Sequence, residues 1–149
     1  MLSDGHNEGV NLYISFRLRR GQPEVKLMKS QRYQRGFKKL EEVNKEGIDD
    51  LIKLMDDFAP DLATYVIEFA YGDVYTRPGL DPRQRELCII SAITALGGKE
   101  QQLKDHIQAA VNVGCTKVEI VETLIMMAVY AGFPAAINAI KSAKDVLCV

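Results

Sequence analysis

The side chains of this sequence with the most chemistry to offer are Glu86, His106 and three cysteines, Cys88, Cys115 and Cys148. On a helical wheel turning about 100° per residue, Glu86 points close to Ile93, between Ile89 and Ile90. It is also the last charge before twelve uncharged residues, Leu87 to Gly98. A carboxyl placed there is partly desolvated, which favours its neutral form and suits a general acid or base. A glutamate complementing the dipole of a helix start, with Arg83 and Arg85 beside it, is the other reading of that position. His106 lies roughly 60° from Leu103 and beside Ala110, on a helix whose apolar stripe includes Ile107 and Val111. An imidazole on an inner face needs partners for its nitrogens and is the side chain best suited to proton transfer near neutral pH. A satisfied core histidine fits the same position. His6 falls in a polar N-terminal stretch and has no such setting.

The cysteines do not form a redox centre by spacing. Cys88 lies roughly 160° around its helix from Glu86, Cys115 falls in a turn, and Cys148 is next to the end of the sequence. No C-x-x-C occurs, so neither a thioredoxin-type pair nor a zinc site can be read. Cys88 reads as a buried structural thiol, with a reactive thiol as the alternative. P-loop, dinucleotide and metalloprotease motifs are absent from the sequence. No cofactor and no metal are therefore expected.

Composition narrows the class. The chain has 149 residues, 47% of them hydrophobic, and 19 basic against 20 acidic side chains. That balance argues against a nucleic-acid binder, which carries a basic excess, and the apolar fraction argues against wholesale disorder. With no Trp and 7% aromatic residues, the core must be aliphatic. An odd cysteine count in a chain of this length does not make a disulfide scaffold, so a reduced, cytoplasmic compartment is expected. The start lacks the basic-then-apolar order of a signal peptide. The uncharged run Thr123 to Ile140 just reaches the length of a membrane span, but Gly132-Phe133-Pro134 interrupts it, so two helices meeting at a break are expected and no membrane partner.

The elements that must position Glu86 and His106 are helices. Seven are expected: Gln31 to Lys45, stopped by Gly47; Ile48 to Phe58, stopped by Pro60; Asp61 to Val74; Asp81 to about Leu96; Glu100 to Val113; Thr116 to about Ala131; and Pro134 to about Leu147. Asp81 with Pro82 and Gln84, and Thr116 with Glu119, are capping-box starts. The helix from Lys117 is apolar around most of its circumference. The next one presents Ala135, Ala136, Ala139 and Ala143, which together suggest a central antiparallel helix hairpin or a subunit interface. Val10 to Phe16 alternates like a strand, but no second strand-like run is apparent. Residues 1–28 are therefore expected to be a poorly packed tail before a helical domain over 29–149. Met28, just before the first helical pattern, is a second candidate start.

Four stretches then carry a resemblance. Phe69-Ala70-Tyr71-Gly72-Asp73-Val74-Tyr75, Arg77 to Leu87, Asp105-His106 through Gly114, and Ala128 to Ala136 resemble the γ-carboxymuconolactone decarboxylase family, over about Ser30 to Leu147. The resemblance implies an all-α fold of the alkylhydroperoxidase-D-like superfamily, built as a homo-oligomeric ring of three or six chains. One branch of that superfamily decarboxylates γ-carboxymuconolactone during aromatic-acid breakdown, without cofactor or metal. Another is a peroxidase partner using a Glu, a C-x-x-C pair and a His. On this sequence the Glu falls at Glu86 and the His at His106, while the cysteine positions fall at about Lys99 and Gln102, so the redox pair is missing.

The resemblance thus implies a cofactor-free decarboxylase of a small-molecule carboxylated lactone or of a related substrate. A peroxidase or thiol-reductase relative lacking its C-x-x-C, and a non-catalytic oligomer keeping only the fold, are the alternatives. Loss of carbon dioxide leaves electrons delocalised toward a carbonyl, which calls for a stabilising donor and an acid. His106 is the candidate proton donor or dienolate stabiliser, with Glu86 orienting it or exchanging protons with it. Arg85 and Arg83 are candidates to bind a substrate carboxylate bidentately, solvent-exposed helix arginines being the other reading.

Overall fold

Tyr13–Phe16 (β1) pairs antiparallel with Val25–Met28 (β2), Tyr13 opposite Met28 and Phe16 opposite Val25. The computed structural model describes residues 13–16, 25–56 and 58–148. The pairing corrects the expectation that the first run has no partner. Val25-Lys26-Leu27-Met28 is too short for its alternation to stand out in the sequence. The rest of the expected tail, His6 included, lies outside the described residues.

From residue 31 onward the chain is helical: α1 (Gln31–Asp56), α2 (Pro60–Tyr65), a π-helical segment (Val66–Val74), α3 (Pro82–Leu96), α4 (Glu100–Asn112), α5 (Lys117–Tyr130) and α6 (Phe133–Leu147). The two helices expected before Pro60 follow one another as α1, broken at Asn44, whose φ of −155° and ψ of 82° are not helical. The break falls three residues before the expected stop. Asn44 Oδ1 accepts from the Gly47 amide at 3.2 Å, so Asn44 caps the second stretch and Gly47 lies inside it. Both expected capping boxes form, at Asp81 with Gln84 and at Thr116 with Glu119. α4 ends in a Schellman turn around Gly114, at φ 92°, with Cys115 N donating to Ala110 O and Gly114 N to Val111 O.

Two apolar clusters flank α4. One joins Ile90 of α3, Leu103 and Ile107 of α4, Ile120 and Leu124 of α5 and Ala139 and Ala143 of α6. The other joins Tyr33, Leu40, Val43 and Ile48 of α1 with Ile67, Tyr71 and Ala109. Each fully buried Ile or Leu contributes about 1.5–3 kcal/mol, and α4 draws on both clusters, which fixes its rotation. α1 crosses the π segment with no side chain between them. A Cβ on Gly36 would sit 1.9 Å from the Ile67 carbonyl oxygen, and one on Gly72 2.6 Å from the Arg32 carbonyl oxygen.

The uncharged run is split by Gly132, at φ 90°, into α5 and α6, and among the described residues no helix is long and apolar enough to cross a membrane. α5 packs on α6 but buries only part of its apolar surface. Val129, Tyr130 and Phe133 at the α5–α6 junction are 74%, 79% and 72% exposed.

Candidate active site

The capping box that starts α3 sets the phase of the helix, and one turn later Glu86 points inward beside Ile90. Its side chain is 0% exposed. A buried carboxylate without partners would be strongly unfavourable, and Glu86 has two. Oε2 lies 2.9 Å from His106 Nδ1 on α4, and Oε1 accepts from the Tyr75 hydroxyl. Sequence positions 75, 86 and 106 thus form one hydrogen-bonded chain, contributed by three separate segments.

Tyr75 follows the π segment and donates its own amide to Ala70 O at 2.8 Å, five residues back. This wider turn sets Tyr71 and Tyr75 one above the other, ring centroids 4.7 Å apart. Burial, then the Glu86 carboxylate and its hydrogen bond, push the Tyr75 phenol well above its ordinary range. Burial and the same carboxylate push Tyr71 up as well. Both therefore remain neutral hydrogen-bond donors at any working pH.

His106 reaches solvent, its side chain 26% exposed, and Tyr75 is itself only partly buried. With Tyr71 it lines a cavity of about 550 Å³ between α1, the π segment and α4. Leu40, Leu51, Leu54, Met55 and Val66 give that cavity an apolar wall, and Gln101, Gln102 and Asp105 a polar one. Since Glu86 occupies Nδ1, the imidazole nitrogen left for a bound molecule is Nε2. The volume suits a small organic molecule.

Arg83 and Arg85 are placed elsewhere. The Arg85 guanidinium donates to the carbonyls of Arg77 (2.7 Å) and Leu80 (3.2 Å) and lies 5.7 Å from the Tyr75 ring centre, so it ties the turn before α3 together. Arg83 pairs with Glu119 at the start of α5. Neither lines the cavity that holds His106. Cys115 is buried, its thiol pushed up first by that burial, and it donates to Arg83 O at 3.7 Å. Cys88 is exposed, which corrects the expectation of a buried thiol: α3 buries its Glu86–Ile90 side, and Cys88 is on the other.

The tyrosines are what sequence reasoning missed. Tyr71 and Tyr75 stand in the quoted motif four residues apart, and two phenols at that spacing shortly before an inward-facing Glu were the available signal. Hydropathy does not reveal a π turn.

The model of the carboxymuconolactone decarboxylase family matches residues 60–145, the stretch holding all four of these side chains. A 4-carboxymuconolactone decarboxylase of Acinetobacter baylyi is 34% identical over 117 residues, 78% of this chain and 87% of that protein. The chain belongs to the carboxymuconolactone decarboxylase family. Two more relatives share the likeness. A nitrosuccinic acid decarboxylase of Metarhizium robertsii is 35% identical over 95 residues, 63% of this chain and 65% of that protein. An uncharacterised 15.0 kDa protein of Paracoccus denitrificans is 34% identical over 96 residues, 64% and 72% of the two chains. The named relatives are decarboxylases, and in this family member His106 and Tyr71 line the cavity beside α4 while Glu86 and Tyr75 stand behind His106.

Proposed function

We propose that this protein is a cofactor-free decarboxylase of the γ-carboxymuconolactone type, or of a close relative of that substrate. The observation that carries the reading is the Tyr75–Glu86–His106 chain, with a fully buried carboxylate at one end of an imidazole and a cavity at the other. The substrate's carboxylate leaves as carbon dioxide, and the electron pair of the broken bond spreads into an adjacent electron-withdrawing group. A lactone carbonyl offers such a sink, and so does a nitro group, which is what the substrates named for the two decarboxylase relatives have in common. His106 in its doubly protonated form, its Nδ1–H held by Glu86, presents Nε2–H to the developing anion and then delivers that proton to carbon, which leaves the neutral imidazole with its proton on Nδ1. Solvent, which reaches His106, restores it. Nothing in this sequence of steps calls for an electron carrier or a Lewis acid.

Residues 29–149 are the catalytic unit on this reading. Arg85 serves by holding the Arg77–Leu80 turn against Tyr75. The exposed apolar side chains Ile125, Met126, Val129, Tyr130 and Phe133 support assembly of several copies into a ring around an α5–α6 hairpin, which light scattering at micromolar concentration tests. The free thiols of Cys88, Cys115 and Cys148 suit the reducing cytoplasm.

The deciding experiment is turnover of γ-carboxymuconolactone by the purified protein, followed as carbon dioxide release. His106→Ala is expected to lower kcat by about 10³-fold with the helical circular dichroism unchanged. Turnover that survives the substitution removes His106 from the mechanism.

A further inference from the structure

Glu86 can direct His106 only if its carboxylate is itself held, and α3 supplies nothing to hold it. A buried carboxylate has two oxygens and can rotate about its last bond. Either oxygen could then meet the imidazole, at either of two angles. Oε1 is occupied by the Tyr75 hydroxyl, which leaves Oε2 for His106 Nδ1. Tyr75 is in turn fixed on three sides: its amide bonds to Ala70 O through the π turn, its ring lies against Tyr71, and the Arg85 guanidinium lies over it. Arg85 is itself anchored on the Arg77 and Leu80 carbonyls.

We infer that Tyr75 is a positioning residue: its hydroxyl locks the Glu86 carboxylate in one rotation and thereby fixes the length and angle of the bond that Glu86 makes to His106 Nδ1–H. The π register, whose i→i+5 bond ties the Tyr75 amide to Ala70 O, sets the direction in which the Tyr75 side chain leaves the backbone, and its hydroxyl meets Glu86. Single π turns inside helical segments gather at functional sites, and here the wider turn has a defined task. Tyr75 does not line the cavity, whereas Tyr71 and His106 do. It acts through Glu86.

The inference rests on the proposed role of His106 for its consequence in turnover but not for the lock itself, so two readouts separate the two. The chain has two histidines, His6 and His106, and His6→Ala leaves a single imidazole to observe. In that background, nitrogen-15 imidazole spectra taken above the titration range are expected to show the proton on Nδ1. With Tyr75→Phe the proton should stay on Nδ1, which either carboxylate oxygen holds, but the Nδ1–H signal should broaden and exchange faster with water as the carboxylate rotates. Turnover should fall about tenfold or more in kcat with KM unchanged, as expected when a buried charged acceptor loses its donor. Adding Tyr75→Phe to Glu86→Gln should lower kcat no further. Tyr75→Phe spectra and kcat equal to those of the parent overturn the inference. Loss of the ordered Nδ1–H signal in a protein that turns over no carboxylated lactone leaves the inference standing and overturns the proposed function instead. Should Tyr75→Phe fail to fold, Arg85→Met, which loosens the tyrosine ring while leaving its hydroxyl, is expected to give a partial loss of the lock, and a fully retained one counts against the inference.

Discussion

α3 and α5 open with the same device, a reciprocal capping box, yet the glutamates near the two starts are held in opposite ways. Glu119 takes the bonds to one oxygen locally, from the Thr116 amide at 2.7 Å and the Thr116 hydroxyl at 2.8 Å, and its other oxygen pairs with Arg83 of α3 in solvent. Glu86 takes its own from Tyr75 and His106, eleven and twenty residues away, and is sealed from solvent. Local donors complete a carboxylate as soon as one helix turn forms. Distant donors complete it only when three segments have docked. The first arrangement serves the helix; the second costs burial of a charge and is useful only if the assembled group does something at the cavity its partner lines.

The largest effect that could break this contrast is on turnover. Glu86→Gln keeps the shape but removes the negative charge and leaves one acceptor oxygen for the two donors Tyr75 and His106, and is expected to lower kcat by about 10³-fold. Glu119→Gln, at a position where Gln also completes a capping box, is expected to leave kcat within about twofold. Steady-state kinetics on the two variants side by side decide it. Equal losses would mean that the buried carboxylate has no special part in the chemistry.

A smaller effect concerns what holds the Glu86 side together. The π segment that carries Tyr71 and leads into Tyr75 is held where α1 crosses it at Gly36. A methyl there would strike backbone, the Ile67 carbonyl oxygen at 1.9 Å and the Gly72 amide nitrogen at 2.8 Å. Backbone cannot step aside as a side chain can, so Gly36→Ala is expected to cost about 3 kcal/mol in denaturant unfolding. Gly79→Ala, where a Cβ meets nothing within 4 Å, should stay within about 0.5 kcal/mol. If Gly36→Ala is as mild as Gly79→Ala, the crossing does not hold the site.

The same division runs through what could be read in the sequence. Helix starts were legible because a capping box is local: Asp81-Pro82 with Gln84 and Thr116 with Glu119 are complete within four residues. Glu86 and His106 were legible as inward-facing residues, because the wheel reports direction. Their 2.9 Å approach was implied by the family resemblance and not by the wheel, since it depends on how α4 sits between two clusters. Tyr75 escaped notice because the i→i+5 register has no hydropathy signature, and β2 because four residues give alternation too little length. The arginines misled for a related reason: charge beside a candidate carboxylate says nothing about which way a long side chain turns, and Arg85 turns back onto Arg77 and Leu80.

The smallest effect is in acid, and it belongs to the carboxylates that face solvent. The Thr116 amide and hydroxyl, then Arg83, hold Glu119 below the usual carboxylate range. The hydrogen bond from Arg32 does the same for Asp73, which with Arg35 bridges α1 to the π segment. A carboxylate whose folded pKa is depressed adds stability at pH values above its unfolded pKa and loses it as the pH falls through the folded value. The thermal midpoint should therefore be flat near neutrality and begin to drop below about pH 4. Glu119→Gln cannot lose a proton-linked contribution it no longer has, so its midpoint should start slightly lower and fall less steeply in acid, as should that of Asp73→Asn. Both groups are exposed, and salt screens them, so the difference in slope should shrink in molar salt. Parallel slopes for parent and variants at low salt would show that neither surface ion pair contributes to the acid response.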